Sequence, residues 1–388
     1  MSDHDNNSLE SQLNDIFSPG SSSSNTSPVQ NSPTAPGISG NSIIPPQPIQ
    51  PTYVTQSSAT SNNGVNLGEL LEINGYHPVM IFGTRASGKS TLLASIFNYI
   101  RTSTDSKSIV LFGDPIVPLD NNYGLEVYDA AKEFFYNKVE DFMKGRAPAI
   151  TQSKAPFFIP VIIRPSNGLP EIKLAFLESA GEWYMPNSNL AGLYQPLKEE
   201  IESVYRNFTQ SITLLLVAPY TTQAAFTDLP QEEVDSEEIR DSDSGLYGSL
   251  EKYQSMRFET YRQKDNYRFI LTKWDVHTGG DIYHPDLANP SPQLISLKIK
   301  ERFPQSWVIF ESMGDGNNKA VMPYSAGFIA VNDVIINPDD LKLQMLRFPR
   351  TLLDWIYGNV SGYSLYDQFH SKKGFPNNVL SFFKKLLS

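Results

Sequence analysis

Residues 78–97 read PVMIFGTRASGKSTLLASIF, and the fold turns on how that stretch is divided. Pro78–Phe82 is a short apolar run of strand character. Gly83–Ser90 fits the spacing G-x-x-x-x-G-K-S, and the residues beyond it, STLLASIFNYI, continue at helical period. A glycine-rich turn that opens a helix presents backbone N–H groups with no intrahelical acceptor, and the helix dipole adds positive potential there. Gly83, Thr84, Arg85, Ala86, Ser87, Gly88, Lys89, Ser90 and Thr91 therefore form a candidate ring of phosphate contacts. Lys89 would neutralise β- and γ-oxygens, and the Ser90 hydroxyl would serve Mg²⁺. A purely structural glycine turn is the other reading of the same letters.

Outward from this stretch, strands and helices alternate. Tyr123–Met143 has helical spacing. FFIPVIIRP and EIKLAFL, joined by the turn SNGLP, read as a hairpin. A helix near PLKEEIESVYRNF precedes the apolar runs ITLLLVA, YRFILTKW and KAVMPYSA, and helices are expected around 338–357 and 376–387. Strands that are apolar throughout require cover on both faces, which points to an α/β sheet between helical layers. Residues 65–335 would form that domain and residues 336–388 a C-terminal helical extension. An acidic insert near 221–248 interrupts the domain. Within it QEEVDSEEIRDSDSG (231–245) carries seven acids and one Arg. It lacks the Gly at the sixth position and the Glu at the twelfth that a calcium loop needs, so it reads as a solvated, mobile loop.

Residues 1–64 contain no Lys or Arg and are dominated by Ser, Asn, Pro and Gln, a composition with too little apolar surface to offset the entropy of ordering. One segment, SLESQLNDIF, sets Leu9, Leu13, Ile16 and Phe17 at helical spacing, as a short docking helix would. A formal net charge of −11 excludes a general nucleic-acid binder, which needs clustered basic surface. The absence of cysteine excludes disulfides, thiolate zinc sites and a cysteine nucleophile. No apolar run reaches the roughly 18–20 residues of a bilayer span, and the acidic start has no signal-peptide core. The expectation is a cytoplasmic protein without a transmembrane segment. The C-terminal GFPNNVLSFFKKLLS suits a helix packed on the domain, or a peripheral contact with a membrane surface or partner.

Three further stretches carry chemistry. In LAFLESAGEWY (174–184), Glu178 ends an apolar run and can hold a magnesium ion through water, while Gly181, three residues on, lets its N–H approach a γ-phosphate. Capping of the next segment by Glu178 or Ser179 is the bland alternative. In FILTKWD (269–275), Asp275 can accept two hydrogen bonds from the N1–H and exocyclic amine of guanine, Lys273 can lie along the base, and Thr272 can tie this loop to the Gly83–Ser90 loop. In PYSAG (323–327), backbone N–H groups at Ser325 and Ala326 can meet the guanine O6.

Taken in order, these four elements resemble the P-loop GTPases of the translation-factor and Ras-like class over residues 76–330. The ending AGEW and the longer spacings look most like bacterial double-GTPases and related conflict-associated GTPases. The resemblance implies a three-layer, mostly parallel six-stranded sheet with one antiparallel strand, and Mg²⁺-dependent binding and hydrolysis of GTP to GDP. It also implies a protein effector or activator as partner. It places Ser90 and Glu178 at the magnesium, with Thr151 as the candidate switch threonine. The chain departs from the family pattern in several places, among them the S-A-G at Ser325–Gly327, which lacks the Lys often found third. Glu178 stands where most members have Asp. Glu182 stands where many have the Gln that orients the attacking water, and its charge would slow hydrolysis or make it await a partner. Arg85 is either a solvent-facing cation or an arginine finger in cis. A P-loop ATPase or kinase with an incidental TKWD, and a pseudo-GTPase scaffold, remain open alternatives.

Overall fold

β1 (His77–Phe82) lies at the centre of a seven-stranded sheet ordered β2-β3-β4-β1-β5-β6-β7. The computed structural model describes residues 66–102, 108–120, 122–146, 156–179, 195–221, 235–279, 281, 283–314, 318–331, 334–336 and 345–366, all within the unit Ser61–Ser388. Along the chain, α1 (Leu67–Ile73) precedes β1, and α2 (Lys89–Thr102) follows it. β2 (Ser108–Phe112) leads to α3 (Asn122–Glu133), a π turn (Phe134–Lys138) and α4 (Val139–Met143). Next come β3 (Phe157–Pro165), β4 (Ile172–Glu178), α5 (Gln195–Asn207), β5 (Thr213–Pro219), α6 (Asp235–Met256), α7 (Glu259–Arg262) and β6 (Asn266–Thr272). After them lie α8 (Trp274–His277), α9 (Pro285–Ala288), α10 (Pro292–Arg302), α11 (Pro304–Ser312) and β7 (Lys319–Tyr324). A small hairpin of β8 (Ile329–Val331) and β9 (Val334–Ile336) and then α12 (Arg347–Ser361) complete the described elements.

β4, β1, β5, β6 and β7 run parallel. β3 alone is reversed, antiparallel to both β2 and β4. The expected hairpin over FFIPVIIRP and EIKLAFL is β3–β4, in register from Phe157 opposite Glu178 to Ile163 opposite Ile172. Every residue of β5 and β6 is buried, as strands covered on both faces must be. One crossover runs from β1 to β2 at the edge of the sheet, and another runs from β4 past β1 to β5 in the opposite direction. Because such crossovers are right-handed, the helices divide between the two faces: α2, α3, α4 and α12 pack together, and α1, α5, α6, α10 and α11 form the other layer.

Two expectations are corrected. The sheet has seven strands, not six, because β2 adds an edge strand beyond β3. Part of the acidic insert is not a loop: Asp235–Met256 is a 22-residue helix that buries Ile239, Leu246, Leu250 and Tyr253, a stripe at helical spacing. The helix expected over Tyr123–Met143 is present, continuous from Asn122 to Met143, and contains the π turn. The residue it inserts lets adjacent Phe134 and Phe135 both reach Phe97 of α2, at ring-centroid distances of 6.5 and 5.4 Å. The arm at 1–64, residues 222–234 and the C-terminal stretch beyond Tyr366 lie outside the described residues. Among the described residues no helix is long and apolar enough to cross a membrane.

α12 is fixed to the sheet by specific contacts. The buried Arg268 guanidinium of β6 lies 4.7 Å from the Trp355 ring, and burial lowers its pKa to about 10. The Tyr357 hydroxyl donates to the Pro170 carbonyl at 2.6 Å. Where β5 and β6 begin, Arg257 and Asp265 form a buried ion pair. The Asp265 carboxylate accepts from Arg257 Nε (2.8 Å) and Nη2 (2.9 Å), from the Ile212 N–H (2.8 Å) and from the Tyr253 hydroxyl (2.5 Å). Arg257 also donates to the Gln210 carbonyl at 2.6 Å. Removing one partner leaves a charge buried alone, so Asp265→Ala should cost about 3–5 kcal/mol in urea unfolding. An Asp265→Ala loss under about 1 kcal/mol would refute this account.

Candidate functional site

The C-terminal ends of β1, β4, β5, β6 and β7 converge at one edge of the sheet, where the candidate residues of the sequence meet. Gly83 leaves β1 pressed against β5: a Cβ there would stand 2.4 Å from the Val217 carbonyl oxygen and 2.6 Å from Ser87 Oγ, so only glycine fits. Ala86 at φ 58° and Gly88 at φ 90° are left-handed and fold the loop back into the first turn of α2. Lys89 is buried, and its Nζ donates to the carbonyls of Gly83 (2.5 Å) and Thr84 (2.9 Å). The loop is thus closed around its own cation, while Arg85 is exposed on its outside.

Ser90, one residue into α2, donates through Oγ to Glu178 Oε1 at 2.5 Å, and Glu178 is fully buried at the end of β4. A hydroxyl and a carboxylate are hard oxygen donors, a pair that fits Mg²⁺ taking its other ligands from water and phosphate. Among the described residues no group of three or more His, Asp or Glu could hold a metal by itself.

Thr272, the last residue of β6, donates through its hydroxyl to the Ser87 carbonyl (2.6 Å) and the Ala218 carbonyl (3.2 Å), which ties the β6 end to the loop. Lys273 then takes a left-handed conformation, φ 55° and ψ 37°, and starts α8. Asp275 in α8 is buried and accepts from the Ser325 hydroxyl at 2.7 Å. Burial raises its carboxyl pKa above the usual range, opposed in part by the Ser325 hydrogen bond. Below it, the fully buried Trp274 donates through Nε1 to the Asp286 carbonyl at 2.9 Å and stacks on His277 at 4.3 Å. A cleft of about 540 Å³, including its open mouth, lies between these loops, lined by Gly88, Thr91, Lys273, Asp275, Ala326 and Phe328 among others.

Three candidate residues, Thr151, Gly181 and Glu182, lie outside the described residues. The structure also brings in partners from α6 that no local pattern marks. Thr84 donates to Ser242 of α6 at 2.8 Å, both side chains being buried. The neighbouring Asp243 caps α11 from a distance, accepting from the N–H groups of Gln305 (3.0 Å) and Ser306 (2.9 Å) and from the Ser306 hydroxyl (2.6 Å). The acidic stretch therefore braces the loop and the helix beside it. Partners 63 and 158 positions apart leave no signal in a local window.

No protein-family model matches the chain, and no curated protein matches it. Among solved structures it is similar to a signal recognition particle receptor SRb-GTP/SRX complex from Chaetomium thermophilum. The likeness has a TM-score of 0.34 and 13% sequence identity, over 65% of this chain and 90% of that one.

Proposed function

We propose that this protein is a Mg²⁺-dependent guanine-nucleotide-binding protein of the P-loop GTPase class. It would hydrolyse GTP to GDP slowly or with a partner's help, and act in the cytoplasm as a regulatory switch read by a protein effector. One observation carries the reading. A single cleft is walled by Gly88 from the loop, Thr91 from the first turn of α2, Lys273 and Asp275 from the β6 end, and Ala326 from the β7 end, and Asp275 is oriented by Ser325.

In this reading the phosphates lie on the N–H groups of Gly83–Thr91, and Lys89 offsets charge on the β- and γ-oxygens. Asp275 accepts the N1–H and exocyclic amine of guanine, a donor pair that adenine lacks. Ser325 holds that carboxylate in place, and the Ala326 N–H meets the guanine O6. Thr272 keeps the base and phosphate halves of the site at a fixed separation through its bond to Ser87. Ser90 and Glu178 would hold the Mg²⁺, which supplies charge neutralisation at the β- and γ-phosphate oxygens. The roles proposed for Thr151 at the metal, Gly181 at the γ-phosphate and Glu182 at the attacking water rest on their places in the sequence, as does that of Arg85 as a finger in cis.

A thermal-unfolding comparison tests the reading. GTP with Mg²⁺ at about a hundred times its Kd should stabilise the protein by about 2.7 kcal/mol, and ATP at the same concentration should give a far smaller shift. An equal or larger shift with ATP would favour an ATPase or kinase instead.

A further inference from the structure

Phe328 follows the Ser325–Ala326 turn. Gly327, at φ 78°, redirects the chain between them, its N–H donating to Ser325 Oγ at 3.2 Å. The Phe328 ring is largely buried yet lines the same cleft as Lys273, Asp275 and Ala326. Phe142 of α4 stands against it, with ring centroids 5.6 Å apart and planes at 78°, an edge-to-face pair of the kind aromatic quadrupoles favour. Phe142 is itself buried, so the segment between β2 and β3 reaches across to support this wall of the cleft.

Phe328 thus lines a cleft that also holds a lysine and a buried carboxylate. Every purine has a π-face, and stacking on an aromatic side chain is tolerant of which base is bound. We propose that Phe328 is the stacking surface for the purine ring of the bound nucleotide, held in place by Phe142. The inference rests on the reading that the cleft takes a nucleotide. In it the base is read at its edge by Asp275 and gripped at its face by Phe328. The aromatic ring therefore contributes affinity, and the carboxylate contributes the choice of base.

Equilibrium titration of the full-length chain with GTP and GDP in Mg²⁺ tests this, using Phe328→Ala, Phe328→Leu and Phe328→Trp. Leucine keeps the apolar volume and removes the π-face. Both Phe328→Ala and Phe328→Leu should lower the affinity for GTP and GDP about tenfold to a hundredfold, with the ratio of GTP to ATP affinity unchanged. Phe328→Trp should bind near wild-type strength, with indole emission that changes on adding GTP. Phe142→Leu should give a smaller loss in the same direction. Wild-type affinity in both Phe328→Ala and Phe328→Leu, or a Phe328→Trp emission indifferent to GTP, would overturn the inference while leaving nucleotide binding intact. A wild-type protein that binds neither GTP nor ATP would remove the nucleotide reading and this inference together.

Discussion

Asp275→Asn is expected to move the preference of the site from GTP to xanthosine triphosphate, changing the ratio of the two affinities by about a hundredfold or more. The buried carboxylate is aimed by Ser325 at 2.7 Å. An amide in its place offers one acceptor and one donor where guanine presents two donors. The exocyclic amine of guanine would then face an N–H, and a desolvated donor without an acceptor is costly. Xanthine carries an oxygen at that position and accepts from the amide. The same substitution separates binding from folding. Burial raises the Asp275 pKa, so its ionised form costs stability at neutral pH. That cost is absent below the unfolded value of about 3.9 and complete above the raised folded value. The substituted amide carries no charge, so the nucleotide-free variant should unfold at the wild-type temperature or higher. Retained GTP selectivity in this variant would contradict the base-reading role of Asp275.

Lys89→Ala is expected to weaken GTP binding by at least about a hundredfold, the scale on which removing a charge-assisted hydrogen bond from a desolvated site acts. The ammonium is enclosed by the loop that it hydrogen-bonds, at 2.5 Å to Gly83 and 2.9 Å to Thr84. Its charge is therefore held where phosphate oxygens would approach the loop amides. Lys89→Arg should not restore binding, because a planar fork cannot replace a compact ammonium between two carbonyls. Titration calorimetry beside a thermal-unfolding control checks both variants. Binding by Lys89→Ala within about threefold of wild type would place the phosphates elsewhere.

The elements readable from sequence are those whose signals are local. The stretch Pro78–Phe97 contains its own strand, turn and helix, and the left-handed Ala86 and Gly88 lie where the glycine spacing places the bend. The β3–β4 hairpin is legible because SNGLP, with Gly168 at φ 79°, separates two runs of strand character. β2 escapes such a reading because SIVLF is five residues long and pairs along one side, leaving Ile109 exposed at the edge of the sheet. α6 reads as a loop because acids and serines dominate its composition. Its apolar stripe is sparse, with Ser242 and Asp243 buried beside it and satisfied by Thr84 and by the start of α11. Such long-range bonds turn a run of solvated letters into a brace. At the site, the loop, Glu178, Thr272, Asp275 and Ser325 can all be named from motif order, whereas Phe328 and Phe142 look like ordinary core until the fold lays one against the cleft and the other behind it.

The central claim, that the cleft selects a guanine nucleotide, is tested most directly by calorimetric titration of the wild-type protein with GTP and with ATP in Mg²⁺. The account predicts one site per chain for GTP, with ATP weaker by about a hundredfold or more, because adenine would leave the buried Asp275 carboxylate without its donor pair. ATP binding as tightly as GTP, or tighter, would contradict it.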